Sequence, residues 1–234
     1  MEEYLCERRS TISYRDGAVF RKYYKYAKEQ DVLLEMHYAI EAKNSGINCP
    51  AFIGWGYNAD KQMFYSEFEY VEIRKIERAD AGTHEIQMAL DLLCAMPKCK
   101  NKIAIDDEKK AKELLAVSPI LPKGIQQEYE NLVRKLLDAK STVMIHGDYS
   151  FENIGWDVDR DTLITYDFQN SGYGTPGWDK AYLLSSIPNT ELASSFSEGC
   201  FELIKIFSAL RYGRGLKKQL EVDERKRIYE FWWK

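Results

Sequence analysis

Residues 146–153, HGDYSFEN, place His, Asp, Glu and Asn within one short stretch directly after the apolar run STVMI. Two β-prone runs follow, NIGWDV and TLITYDF, joined by Asp159-Arg160-Asp161. A hairpin there turns the chain back on itself and carries Asp167, in YDF, toward Asn153. Few folds bring a strand end, a polar loop and a returning carboxylate to one point, so this segment constrains the chain more than any other.

Phosphoryl transfer needs such a set. One carboxylate orients and deprotonates the attacking hydroxyl, while an amide and a second carboxylate hold Mg2+ against the triphosphate. Asn and Asp supply the hard oxygen ligands that this ion prefers. The spacing H-G-D-x-x-x-x-N, with an aspartate beyond the hairpin, is that of a kinase catalytic loop and its metal-binding aspartate. The plainer alternative is a turn capped by Asp148, with His146 a structural histidine. Asn153, Asp167 and the later Asp179 together weigh against it. DVDRD, residues 157–161, is not a calcium loop, because the sixth and twelfth places hold Thr162 and Phe168 where Gly and Glu are needed. It reads as a solvated hairpin tip.

Composition excludes several other classes. With 234 residues the chain can build one or two domains with a sizeable core. The net charge of −4 carries no basic excess, which argues against nucleic acid as a partner. KKQLEVDERKR reads as a solvated helix face. Cys6, Cys49, Cys94, Cys99 and Cys200 form no C-x-x-C pair, so neither a zinc knuckle nor a disulfide framework is expected. The charged start MEEYLCERRS lacks a signal-peptide core, and no run reaches the about 18 apolar residues of a membrane span. The expectation is a cytoplasmic protein with no membrane partner.

Along the chain, strands come first and helices later. STISYR and AVFRKYY form a hairpin around Asp16-Gly17. Val32, Leu33, Met36 and Ile40 predict a helix from about Asp31 to Lys43, with Asp31 as N-cap and Gly46 as stop. AFIGWGY and MFYSEFEYVEI are two further strands. Helices are expected over Thr83–Met96, over Ile125–Leu137 and from about Thr190 to Trp233. This order predicts an α+β chain of two lobes, residues 1–70 and 71–234, with the site in the cleft between them.

HGDYSFEN followed by TYDFQNSGYGTPGWDKA resembles the aminoglycoside phosphotransferase and choline kinase superfamily of two-lobed, protein-kinase-like folds. The motifs cover residues 144–181, and Trp178-Asp179-Lys180-Ala181 departs modestly from the usual last piece. The resemblance implies Asp148 as catalytic base, Asn153 and Asp167 as Mg2+ ligands, and His146 and Asp179 as braces of the loop. It implies a strand cation facing the phosphates of ATP or another nucleoside triphosphate, paired with a helical glutamate. Lys22 and Arg21 are the candidates, with Glu35 the better partner and Glu41 the poorer. Strand neighbours point to opposite faces, so only one of the two can serve. Backbone near Glu69 to Val71 would meet the adenine.

The family's glycine-rich loop has no counterpart before Gly17. An abbreviated first strand would leave Arg8, Arg9 and Ser10 near the phosphates. The implied activity is transfer of a γ-phosphate to a hydroxyl of a small molecule. Glu152, Trp178, Tyr182, Trp232 and Trp233 would suit a cationic acceptor, an amino sugar or amino alcohol, although Trp232 and Trp233 also suit core packing. The alternative is a degenerate kinase-like binding or regulatory module. The oligomeric state is not legible.

Overall fold

The computed structural model describes residues 2–77, 82–97, 112–139, 143–188 and 198–233. In chain order the strands are β1 (Glu3–Glu7), β2 (Thr11–Asp16), β3 (Val19–Tyr24), β4 (Phe52–Asn58), β5 (Met63–Glu69), β6 (Ile73–Lys75), β7 (Val143–Ile145), β8 (Ile154–Asp157), β9 (Thr162–Thr165) and β10 (Gly172–Gly174). The main helices are α1 (Glu29–Asn44), α2 (Thr83–Leu92), α3 (Lys123–Asp138), α4 (Trp178–Leu184), α5 (Glu198–Lys218) and α6 (Val222–Trp232). The chain packs as two compact units, Met1–Pro97 with Phe151–Ser171, and Lys98–Ser150 with Gly172–Lys234. Division by packing therefore follows different points from the change in composition near Glu69.

The first unit holds an antiparallel sheet in the order β1-β2-β3-β5-β4 and a smaller one, β6-β8-β9. Asp16-Gly17 turns β2 into β3, and Gly17 takes the left-handed φ of +59° that this tight turn requires. Strand β1, directly before Arg8, is short, and its bounds could not be read from the sequence. All five of its residues are exposed, so EYLCE has no apolar alternation to betray it; backbone pairing with β2 holds it in place. Helix α1 begins two residues before the expected Asp31. Asp31 is its third residue, and its carboxylate accepts the Lys28 N–H at 2.8 Å. The helix stops where expected, with Gly46 at φ +88°. Val32, Ala39 and Ala42 of α1 are buried, as are Phe68 of β5, Ile86 and Leu90 of α2, and Ile154 and Ile164 of the hairpin.

Helix α2 is shorter than its periodic pattern, because Leu93–Ala95 tighten into a 3-10 turn. YVEI does not continue β5; Ile73 starts β6, which pairs with β8 through Lys75 and Gly155. A Cβ on Gly155 would lie 2.3 Å from Ile73 Cγ2, so glycine is what allows this approach.

The second unit is mostly helical. Tyr129, Val133 and Leu136 recur on one face of α3 and are buried. They share this unit's core with Leu183, Ile204, Phe207 and Trp232. KKQLEVDERKR is broken by left-handed Gln219 and Glu221, which separate α5 from α6. The expected helix start at Thr190 lies outside the described residues. So does Cys99; the four described cysteines are free thiols.

Candidate active site

Strand β3 sends adjacent cations to opposite faces. Lys22 is 6% exposed and its Nζ lies 3.0 Å from Glu35 Oε1 of α1 and 2.8 Å from Asp167 Oδ1. Arg21 instead pairs with Glu67 at 2.6 Å and with Glu2. Burial alone would push the Lys22 ammonium down, but Glu35 and Asp167 together hold it above the ordinary lysine value. Tyr24, two residues on and so on the same face, donates its hydroxyl to Glu35 and shares a 2.6 Å hydrogen bond with Ser66. Burial and the neighbouring Glu35 both push that phenol well up. Tyr24 and Ser66 were missed; strand alternation from Lys22 was the signal that could have found Tyr24.

Asp167 arrives from the hairpin. β8 pairs with β9 through Ile154 and Thr165. One step beyond, the Asn153 carbonyl accepts the Tyr166 N–H at 3.1 Å and the Thr165 hydroxyl at 3.0 Å. Asn153 is buried and sits opposite the residue before Asp167. Asp167 itself has φ 68° and ψ 67°, the left-handed region that costs a residue other than glycine energy. The cluster around it holds this strained backbone in place.

These residues form the polar end of a pocket of about 310 Å³ within the first unit. Its apolar walls include Phe20, Phe68, Tyr70, Val71 and Phe168. Such a volume and such walls suit a small planar ligand with a charged tail. Glu69 and Val71 both line it. The Glu69 carboxylate is braced by Arg160 at 2.5 Å and the Ala51 N–H at 3.3 Å. The bond from Arg160 is the main reason it lies below the usual carboxylate range.

The second unit holds the HGD turn. Asp179, buried at the start of α4, accepts the His146 N–H at 2.7 Å and the Gly147 N–H at 2.9 Å. Gly147 takes a φ of +82° and makes the turn possible. His146 is fully buried, its ring edge-on to Tyr149 at 5.7 Å. Asp148 is half-buried and accepts a hydrogen bond from the Tyr182 hydroxyl. Burial raises that phenol above its ordinary value, and Asp148 raises it further against the opposing Arg211. Arg211 lies 4.2 Å over the Tyr182 ring. No sequence pattern announces the Tyr182–Asp148 bond.

Replacing Asp179 by alanine is expected to lower stability by at least about 2 kcal/mol, since each buried N–H left unpaired costs about 1–3 kcal/mol. Faster hydrogen exchange of the His146 and Gly147 amides is the accompanying sign. Unchanged exchange there would show that Asp179 does not brace the turn.

The aromatics considered for a cationic acceptor are packed away. Trp178 lies against Phe207 at 4.8 Å and Trp232 against Phe201 at 5.9 Å, both buried, while Trp233 donates to the Lys205 carbonyl. Glu152 is exposed. Among the described residues no helix is long and apolar enough to cross a membrane. Nor do three His, Cys, Asp or Glu residues gather there as a metal cluster.

Comparison with known proteins bears on the fold and the family. The solved structures that superpose on the chain include apo aminoglycoside phosphotransferase APH(4)-Ia, a thermostable mutant, at TM-score 0.63 and 12% identity over 99% of this chain and 92% of that one. The GDP complex of aminoglycoside 2'-phosphotransferase-IIIa gives 0.61 and 12% over 99% and 91%. A choline/ethanolamine kinase family protein from Mesorhizobium loti gives 0.54 and 16% over 100% and 77%. These likenesses establish a kinase-like fold. No curated protein sequence matches the chain. The profile of one family, described as a phosphotransferase enzyme family, matches residues 11–200, most of the length. With that match beside the HGD turn and the buried Lys22 cluster, the chain belongs to the phosphotransferase enzyme family.

Proposed function

We propose that this protein is a small-molecule kinase that transfers the γ-phosphoryl group of a nucleoside triphosphate to a hydroxyl. The observation that carries the reading is the buried Lys22–Glu35 pair meeting a strained Asp167 at the polar end of an apolar-walled pocket. A base would lie against the pocket walls near Glu69 and Val71, and the phosphates would point toward Lys22. Two of the related structures support the nucleotide, being complexes with GDP or with AMP-PNP and hygromycin B.

Asn153 and Asp167 offer an amide and a carboxylate oxygen from one hairpin, a hard donor set that fits Mg2+. An ion held there would offset the charge of the β- and γ-phosphates. Asp148 orients the acceptor hydroxyl and takes its proton as the acceptor oxygen bonds to the γ-phosphorus. The bond from phosphorus to the bridging oxygen breaks, and the nucleoside diphosphate leaves. Tyr182 would keep the carboxylate of Asp148 turned to this task, and Asp179 would keep the turn in shape. The acceptor class we propose is a small polyol or amino alcohol, including amino sugars, with cationic groups met by acidic side chains rather than by Trp178 or Trp232.

The test is magnesium-dependent consumption of ATP and GTP by the purified protein against a panel of amino sugars and amino alcohols. Acceptor-dependent release of nucleoside diphosphate is expected. Tight binding of nucleotide without turnover on any acceptor would instead support a binding module.

A further inference from the structure

The β1–β2 turn, Arg8-Arg9-Ser10, stands where a kinase would place flexible glycines over the phosphates. Here it is anchored. The Arg8 N–H donates to the Thr11 carbonyl at 2.8 Å, closing the turn. Just past the end of β3, the Lys25 ammonium reaches the Arg8 carbonyl at 2.8 Å and Glu7 at 2.6 Å, and the Lys25 N–H reaches the Ser10 carbonyl at 2.9 Å. A turn tied down at both ends, without glycine, is ill suited to wrapping its backbone amides around an anion.

Its side chain is better placed. Arg8 lines the same pocket as Lys22 and Asp167. Its Nη1 lies 4.0 Å from Asp167 Oδ2, beyond hydrogen-bond distance, and its side chain is 53% exposed. This is a loose charge contact, cheap to give up. Lys22 is different: it is buried and held at short range by two carboxylates. Arg8 is therefore the loosely held cation beside Asp167, and its planar fork matches a phosphate edge.

We propose that Arg8 grips the terminal phosphates of the bound nucleotide, leaving Asp167 for them and doing with a side chain what a glycine-rich loop does with backbone amides. The assignment rests on the pocket being a nucleotide site. Its signature is selectivity for phosphate number: Arg8 contributes to ATP or GTP binding and nothing to the parent nucleoside.

The experiment is calorimetric titration of the full chain with ATP, GTP, adenosine and guanosine, with and without Mg2+. It uses the wild type, Arg8→Ala, Arg8→Lys and the control Arg9→Ala, each first shown to melt like the wild type. Arg8→Ala is expected to weaken triphosphate binding by roughly 10–100-fold, the range for a charge-assisted hydrogen bond. Nucleoside affinity should be unchanged, Arg8→Lys should recover part of the loss, and Arg9→Ala should have little effect. Equal losses for triphosphate and nucleoside would overturn the proposal, because Arg8 would then only shape the pocket. So would undiminished triphosphate binding by Arg8→Ala. Failure of the wild type to bind any of the four would remove the nucleotide reading itself, a result distinct from the other two.

Discussion

Asp148→Asn is expected to lower turnover by roughly 10²–10⁴-fold, the usual contribution of a general base, while leaving affinity for Mg-nucleotide near that of the wild type. Amide and carboxylate have the same shape, so the substitution removes the proton acceptor and little else. Asp167→Ala should behave differently. It deletes a proposed metal ligand and one of the two carboxylates on Lys22, so metal-nucleotide binding should weaken together with turnover. Titration with a non-hydrolysable Mg-nucleotide, beside turnover on an acceptor, separates the two. If Asp148→Asn lost nucleotide binding and Asp167→Ala kept it, the assigned roles would be reversed.

The second large effect concerns stability. Glu35→Gln removes one carboxylate from the buried Lys22 ammonium and leaves Asp167 as its remaining carboxylate partner. Breaking a buried pair costs about 3–5 kcal/mol, and the surviving partner places this loss at the lower end, about 3 kcal/mol at pH 7. The pH dependence follows from the direction of the Lys22 shift. Its folded value lies above the ordinary 10.5, so its contribution is complete below that pH and is lost as pH rises through the folded value. In Glu35→Gln the main raising charge is gone and burial favours the neutral amine. The gap between mutant and wild type should therefore narrow in alkali. Lys22→Met with Glu35→Gln, which removes both charges, should cost less than Glu35→Gln alone. Urea unfolding from pH 7 to beyond 10.5 measures all three. A loss under about 1 kcal/mol at pH 7 would mark the pair as solvated.

Much of the fold was legible because it is written in local signals. Asp16-Gly17 announces a hairpin, Asp159-Arg160-Asp161 another, and the periodic Tyr129, Val133 and Leu136 announce α3. The phosphotransferase resemblance was legible in one contiguous stretch, and the family match extends it to residues 11–200. What was not legible depends on partners outside each segment's own pattern, some near in sequence and some distant. β1 is a strand only because β2 lies beside it, and its exposed side chains carry no pattern. Asp31 looked like a helix cap because it precedes an apolar stripe; its role at the third position is set by the Lys28 N–H. The Asp148–Tyr182 bond and the approach of Arg8 to Asp167 join residues far apart in the chain and follow from no spacing rule. Trp178 illustrates the opposite error: a large aromatic near a motif invites a binding role, yet packing claims it, as it does Trp232, for which core packing was already open.

The first unit is interrupted in sequence, and that has a consequence at the ribosome. Residues up to Pro97 emerge first, but the hairpin that completes the unit begins only at Phe151. β6 ends at Lys75, whose partner is Gly155, and Lys22 receives its second carboxylate only when Asp167 is made. At about 5–20 residues per second the interval between Lys75 and Gly155 lasts roughly 4–16 s. Throughout it the nascent chain carries an unpaired β6 and a half-built polar cluster, so its first unit cannot finish folding before the first segment of the second, Lys98–Ser150, has been translated. Lengthening the intervening segment would prolong the period in which β6 stands unpaired, even where the finished protein tolerates the insertion.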